Sequence, residues 1–167
     1  WKELILEDIV KQAGIQSNKN IKIKIEVDVE PPLGFDTEEK LLIRPFSFYV
    51  KCFSRSSLFA GKMHALLFRK WKNRVKGRDW YDFEWYIRKG IPLNLQHFLQ
   101  RAKDTGNWQK DSISEQQVLQ LLKDKIDIIS IDKVKDDVVR FIKDEKTLDI
   151  WNQNYFRDLI KNIKFEK

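Results

Sequence analysis

The sequence predicts an α+β fold that is predominantly helical, with a small sheet near the N-terminus followed by a helical C-terminal part. Three observations carry this. Residues 21–30 (IKIKIEVDVE) alternate apolar and polar without a break, the period of a strand buried on one face. From Ser54 onward, apolar residues recur at three- and four-residue spacing, the period of helices with one buried stripe. The 167 residues include 11 Phe, 6 Trp and 4 Tyr, and 42% of the chain is apolar. That fills a core at this length and is too much for a disordered basic tail.

The elements follow in order. Leu4, Ile5, Ile9 and Val10 predict a helix over 3–13, with Gly14 as its stop. Residues 15–20 read as a turn. The 21–30 strand ends at Pro31-Pro32, because proline has no N–H for a ladder. Residues 33–45 read as a loop and 46–53 (FSFYVKCF) as a second strand. Ser54 is placed to cap a helix over 56–71, and a second helix over 78–89 ends at Gly90 and Pro92. Helical spacing continues over 93–104. Ser112-x-x-Glu115 has the form of a capping box for the helix that follows. Residues 132–143 and 147–163 complete the helical part. A seam near 90–94 separates an α+β region (1–92) from a helical region (93–167).

The chain carries 32 Lys+Arg against 25 Asp+Glu, a net charge of +7. Spread evenly, such an excess only aids solubility; clustered, it selects phosphate. Cys52 is the single cysteine, so no internal disulfide forms and a stapled secreted scaffold is excluded. A cytoplasmic location fits. No apolar run approaches the ~20 residues of a membrane span, and no signal-peptide pattern is present. The chain opens on Trp1 and its only methionine is Met63, so a fragment or processed product is expected.

Three groups of residues carry candidate chemistry. Glu26 and Asp28 share one face of the 21–30 strand, about 7 Å apart by strand rise. Two carboxylates so placed suit a divalent cation; a solvated strand face, balanced by Lys22 and Lys24, is the alternative and the one the spacing favours. Residues 69–78 (RKWKNRVKGR) hold six cations and no acid. Arg69, Arg74, Lys76 and Arg78 would meet phosphate, and Trp71 would stack on a base; the alternative is a solvated basic loop. Lys62 lies in the otherwise apolar LFAGKMHALLF, where a lysine must snorkel, pair or line a site. Asp79 and Asp82 are i and i+3 on the next helix and share a face, so a site or a structural salt bridge would join the two helices. His64 and His97 have no partner at zinc-ligand spacing. Glycine-rich phosphate loops and nucleophile elbows are absent.

The order of the 21–30 strand, LFAGKMHALLF and KGRDWYDF resembles the AbiEii/AbiGii family of nucleotidyltransferases, bacterial toxins of type IV toxin–antitoxin and abortive-infection systems. The family's L-F-A-x-K-x-x-A-L helix is matched by Leu58, Phe59, Ala60, Lys62, Ala65 and Leu66, and its R-D-x-x-D helix by Arg78, Asp79 and Asp82. The resemblance spans residues 21–90. It implies a partial DNA polymerase β-like nucleotidyltransferase sheet. The activity implied is transfer of a nucleoside monophosphate from an NTP, with Mg2+, to an acceptor such as tRNA, and a cognate antitoxin is implied as partner. Lys62 would bind the triphosphate, and Asp79 and Asp82 would orient it or the acceptor. Glu26 or Asp28 would stand for the fold's third carboxylate. The family's Gly-Ser turn is missing from this sequence, and Asp28-x-Glu30 falls on the strand that should follow the metal-binding pair. The expectation is therefore the C-terminal portion of a longer enzyme, inactive by itself. Two other readings stay open: a non-catalytic nucleic-acid-binding module carried by 69–78, and a helical protein-interaction module marked by exposed apolar residues within 114–163.

Overall fold

The structure is a computed structural model that describes residues 25–69 and 75–166. The chain divides into two compact units, residues 1–31 and Pro32–Lys167. The helix expected over 3–13 lies outside the described residues, as do the first four residues of the 21–30 strand. Residues 25–30 are neither helix nor strand, and Ile25, Val27 and Val29 are 75%, 80% and 85% exposed. Alternation supplies a strand's faces but not its ladder. The sheet of the described residues is two-stranded and drawn from later residues, and alternation without a ladder does not make a strand.

In the second unit, β1 (Thr37–Leu42) and β2 (Phe48–Phe53) form an antiparallel hairpin in register Thr37 to Phe53 and Leu42 to Phe48. β2 is the expected second strand. β1 falls in the stretch read as a loop. Its TEEKLL composition is poor in strand formers, so pairing with β2, not propensity, makes it a strand.

Among the described residues six α-helices follow: α1 (Arg55–Phe68), α2 (Gly77–Arg88), α3 (Leu95–Asp104), α4 (Glu115–Ile128), α5 (Ile131–Val138) and α6 (Gln153–Leu159). Ser54 caps α1 as expected, its hydroxyl accepting from the Ser57 N–H at 3.2 Å. α2 closes in a Schellman turn: Gly90 N–H donates to Ile87 O and Ile91 N–H to Tyr86 O, with Gly90 at φ 64°. Asn94 caps α3. The capping box of α4 is Ser114 with Gln117, not Ser112 with Glu115. Starting at Ser114 puts Ile113 before the cap and Val118 four residues into the helix. Both are buried, a hydrophobic staple that a start at Ser112 would lose.

The 132–143 segment is α5 and a 3-10 turn, Val139–Phe141. The 147–163 segment is broken: 3-10 turns Glu145–Leu148 and Ile160–Asn162 flank α6, whose cap is Asn152. The core lies among the helices and is aromatic. Phe59 stacks on Tyr86 at 4.7 Å, and Trp80 meets Phe156 edge-on at 4.9 Å. The alternating aromatics of WYDFEWY therefore split as a core-facing helix should, with Trp80, Phe83 and Tyr86 buried and Tyr81 and Trp85 each 41% exposed.

Candidate functional site

The α1–α2 pair is apolar on the side that carries Phe59, Met63, Phe83 and Trp80, and packing that side brings two ion-pair rungs together on another. In the first rung, Lys62 Nζ lies 2.5 Å from Asp82 Oδ2, both side chains part-exposed. In the second, Arg69 Nη1 lies 4.0 Å from Asp79 Oδ2. Lys62 is on α1 and Arg69 just past its C-terminal end, while Asp82 and Asp79 are one turn apart in the opposite order on α2. The helices therefore run antiparallel, and the same side of each is charged.

The Lys62 ammonium meets Asp82 in this ladder, not Asp79. The Asp79 carboxylate is held by Arg69 and by Lys76 Nζ at 3.9 Å. Its side chain is only 6% exposed, and it sits in the first turn of α2, where the helix dipole favours a negative charge. Beside the first rung, the Tyr86 hydroxyl is held above its usual range, first by burial and then by Asp82, with Arg55 opposing.

A cavity of about 390 Å3 opens behind the second rung, lined by Phe68, Arg69, Lys76, Asp79, Trp80 and Lys125 among others. Lys125 comes from α4, and burial pulls its ammonium below the usual lysine range. It was not singled out by the sequence. Lys125 lies on a helix read for its cap and its apolar stripe, and no local pattern relates it to residues some 50 positions earlier.

The other expected residues are dispersed. Arg78 leaves the cavity and stacks over the Phe141 ring at 4.4 Å, with Arg140 also over that ring at 4.9 Å. Arg74 and Trp71 lie outside the described residues. Glu26 and Asp28 belong to the first unit, where Asp28 Oδ1 accepts from the Glu30 N–H at 3.1 Å. Among the described residues, no group of three or more His, Cys, Asp or Glu side chains is arranged to hold a metal ion. No described helix is long and apolar enough to cross a membrane.

A family model described as nucleotidyl transferase AbiEii toxin, type IV TA system, matches residues 8–163. No curated protein and no solved structure matches the chain.

Proposed function

Because the chain belongs to the AbiEii family of type IV toxin–antitoxin nucleotidyltransferases, we propose that its α1–α2 ladder serves NTP-dependent nucleotidyl transfer. The observation that carries this is the Lys62–Asp82 contact, which joins the lysine of the L-F-A-x-K helix to the second acid of the R-D-x-x-D helix. The acceptor is a nucleic-acid hydroxyl, with tRNA as the proposed class, and a cognate antitoxin is the proposed partner. A cytoplasmic location accords with these partners.

In such a reaction the acceptor oxygen attacks the α-phosphorus, the bond to pyrophosphate breaks, and the acceptor's proton is released. Charge on the phosphate oxygens grows as the bonds exchange, and fixed cations stabilise it. Lys62 is the part-exposed cation able to turn toward a phosphate, and Asp82 keeps it aimed. Asp79 is too buried to meet an acceptor directly; it positions Arg69 and Lys76 instead. Arg74 and Arg78 are the further cations proposed to meet phosphate.

The family implies Mg2+. The described carboxylates do not form a nest for it: Asp28 is engaged with its own chain, and Glu26 and Asp28 are the only acids the sequence offered for the role. Since the family's Gly-Ser turn is absent from this sequence, we propose that the chain binds NTP without transferring it.

Titration calorimetry with each NTP is the test, beside a labelled-NTP assay on tRNA. Lys62→Ala should weaken NTP binding about tenfold or more, the size of one charge-assisted contact. Asp82→Asn should weaken it less. Unchanged NTP affinity in a folded Lys62→Ala variant would overturn the site, and label transfer by the wild-type chain would overturn its inactivity. The basic-module reading predicts the contrary pattern: RNA affinity steeply dependent on salt and indifferent to Lys62.

A further inference from the structure

The cavity behind the second rung has a charge balance that the ladder alone does not explain. Three cations reach it from three places: Arg69 just past α1, Lys76 at the cap of α2, and Lys125 on α4. Asp79 is the one acid among its described lining residues. The described lining thus holds three cations and one acid.

Lys125 is the informative member. It is half-buried, and its ammonium makes no ion pair with a described acid. A desolvated, unpaired ammonium costs free energy. The apolar walls, among them Phe68 and Trp80, lower the local dielectric and strengthen the field of the three cations. A small oxyanion would offset that cost. The volume of about 390 Å3 exceeds what one phosphate fills and falls at the small end of ligand pockets.

We propose that this cavity binds a small polyphosphate anion, with Lys125 of the helical C-terminal part as a ligand beside Arg69 and Lys76. The inference rests on reading Arg69 and Lys76 as phosphate-binding residues, and adds Lys125 and a defined ligand class. The polyphosphate comes either as free pyrophosphate, the leaving group of the proposed reaction, or as the tail of a nucleotide.

Calorimetry on the full chain tests this with pyrophosphate, inorganic phosphate and ATP as separate probes. Pyrophosphate should bind with one-to-one stoichiometry, more tightly than phosphate. Lys125→Met should weaken it about tenfold or more, and Lys125→Arg should recover most of the loss. Lys125→Gln, less apolar, repeats the test should Lys125→Met fail to fold. ATP bound as tightly as pyrophosphate, and lost in parallel, identifies the nucleotide tail as the source; pyrophosphate bound much more tightly identifies the free anion. Equal pyrophosphate affinity across the Lys125 series overturns the proposal, as does RNA binding through Lys125 without pyrophosphate binding. The two readings fail separately. NTP binding that needs Lys62, beside pyrophosphate binding that ignores Lys125, removes only this inference. Pyrophosphate binding that needs Lys125, beside NTP binding that ignores Lys62, removes only the ladder's role.

Discussion

His64 lies on α1 against the end of α3, with Nε2 2.9 Å from Thr105 Oγ1. Burial, followed by the nearby Arg101, Arg69 and His97, lowers its pKa from 6.5 to about 4. Burial also lowers His97, whose Nδ1 lies 2.9 Å from the Leu33 carbonyl oxygen. In the unfolded chain both rings take up protons as the pH falls through 6.5, while folded His64 stays neutral until about 4. The unfolded state then binds more protons, so this contribution is complete above 6.5 and is lost as the pH drops toward 4. His64→Gln, which keeps a polar group for Thr105, should flatten the acid slope of stability between those limits. His97 would retain the rest. Urea titrations at pH 8 and pH 5 read it, and a slope equal to that of the wild type would show that His64 carries no part of it. From the sequence, the histidines could be read only for zinc spacing. Burial and the approach of Arg101 arise when α1 and α3 pack, and no spacing rule contains them. The same limit applies to Lys62: the shared face of Asp79 and Asp82 was legible from i,i+3 geometry, but which acid meets the lysine depends on how α2 is rotated against α1.

At the scale of an element, two glycines make opposite predictions from one substitution. Gly77 opens α2 against α5. A Cβ there would run into the Val134 carbonyl oxygen and crowd Val138, and the Gly77 N–H donates to Asp137 Oδ2 at 2.9 Å. Gly61 sits within α1, where a Cβ would meet Arg101 at an ordinary 3.9 Å. Gly61→Ala should therefore stabilise by up to about 1 kcal/mol through helix propensity. Gly77→Ala should destabilise by about 1–3 kcal/mol, the usual cost of overpacking. Urea midpoints of the two variants check this, and equal shifts would contradict the close approach of α2 and α5. The sequence placed Gly61 inside a helix and Gly77 just before one but could not rank the two substitutions, because the difference lies in a partner helix some 60 residues away. The same reason made β1 a strand. In each case a nonlocal contact chose between locally similar alternatives.

Across the whole molecule, the two halves of the second unit are joined through Glu84. Its carboxylate, on α2, accepts from Trp151 Nε1 at 2.9 Å and from the Tyr155 hydroxyl at 2.6 Å. Burial and then Glu84 push the Tyr155 hydroxyl well above its usual range. Glu84→Ala strands these two donors and should cost about 2–4 kcal/mol. An ultraviolet titration should find Tyr155 ionising at lower pH, and an unmoved Tyr155 would show that Glu84 does not set it. A second long-range tie runs from Leu93 to the C-terminal end, with Leu93 N–H donating to Lys164 O and Glu166 N–H to Leu93 O. By itself the sequence determined the helical character of the chain, the caps at Ser54 and Gly90, the buried aromatic stripe of α2, and the family, through the ordered lysine and R-D-x-x-D motifs. These are local periodicities and short spacings, carried by a few neighbouring residues. Only the tertiary structure decided that Lys62 meets Asp82, that Asp79 is buried between Arg69 and Lys76, and that Lys125 shares their cavity. Those facts depend on helix rotation and on the packing of residues far apart in the chain, and charge placed by packing leaves no period in the sequence.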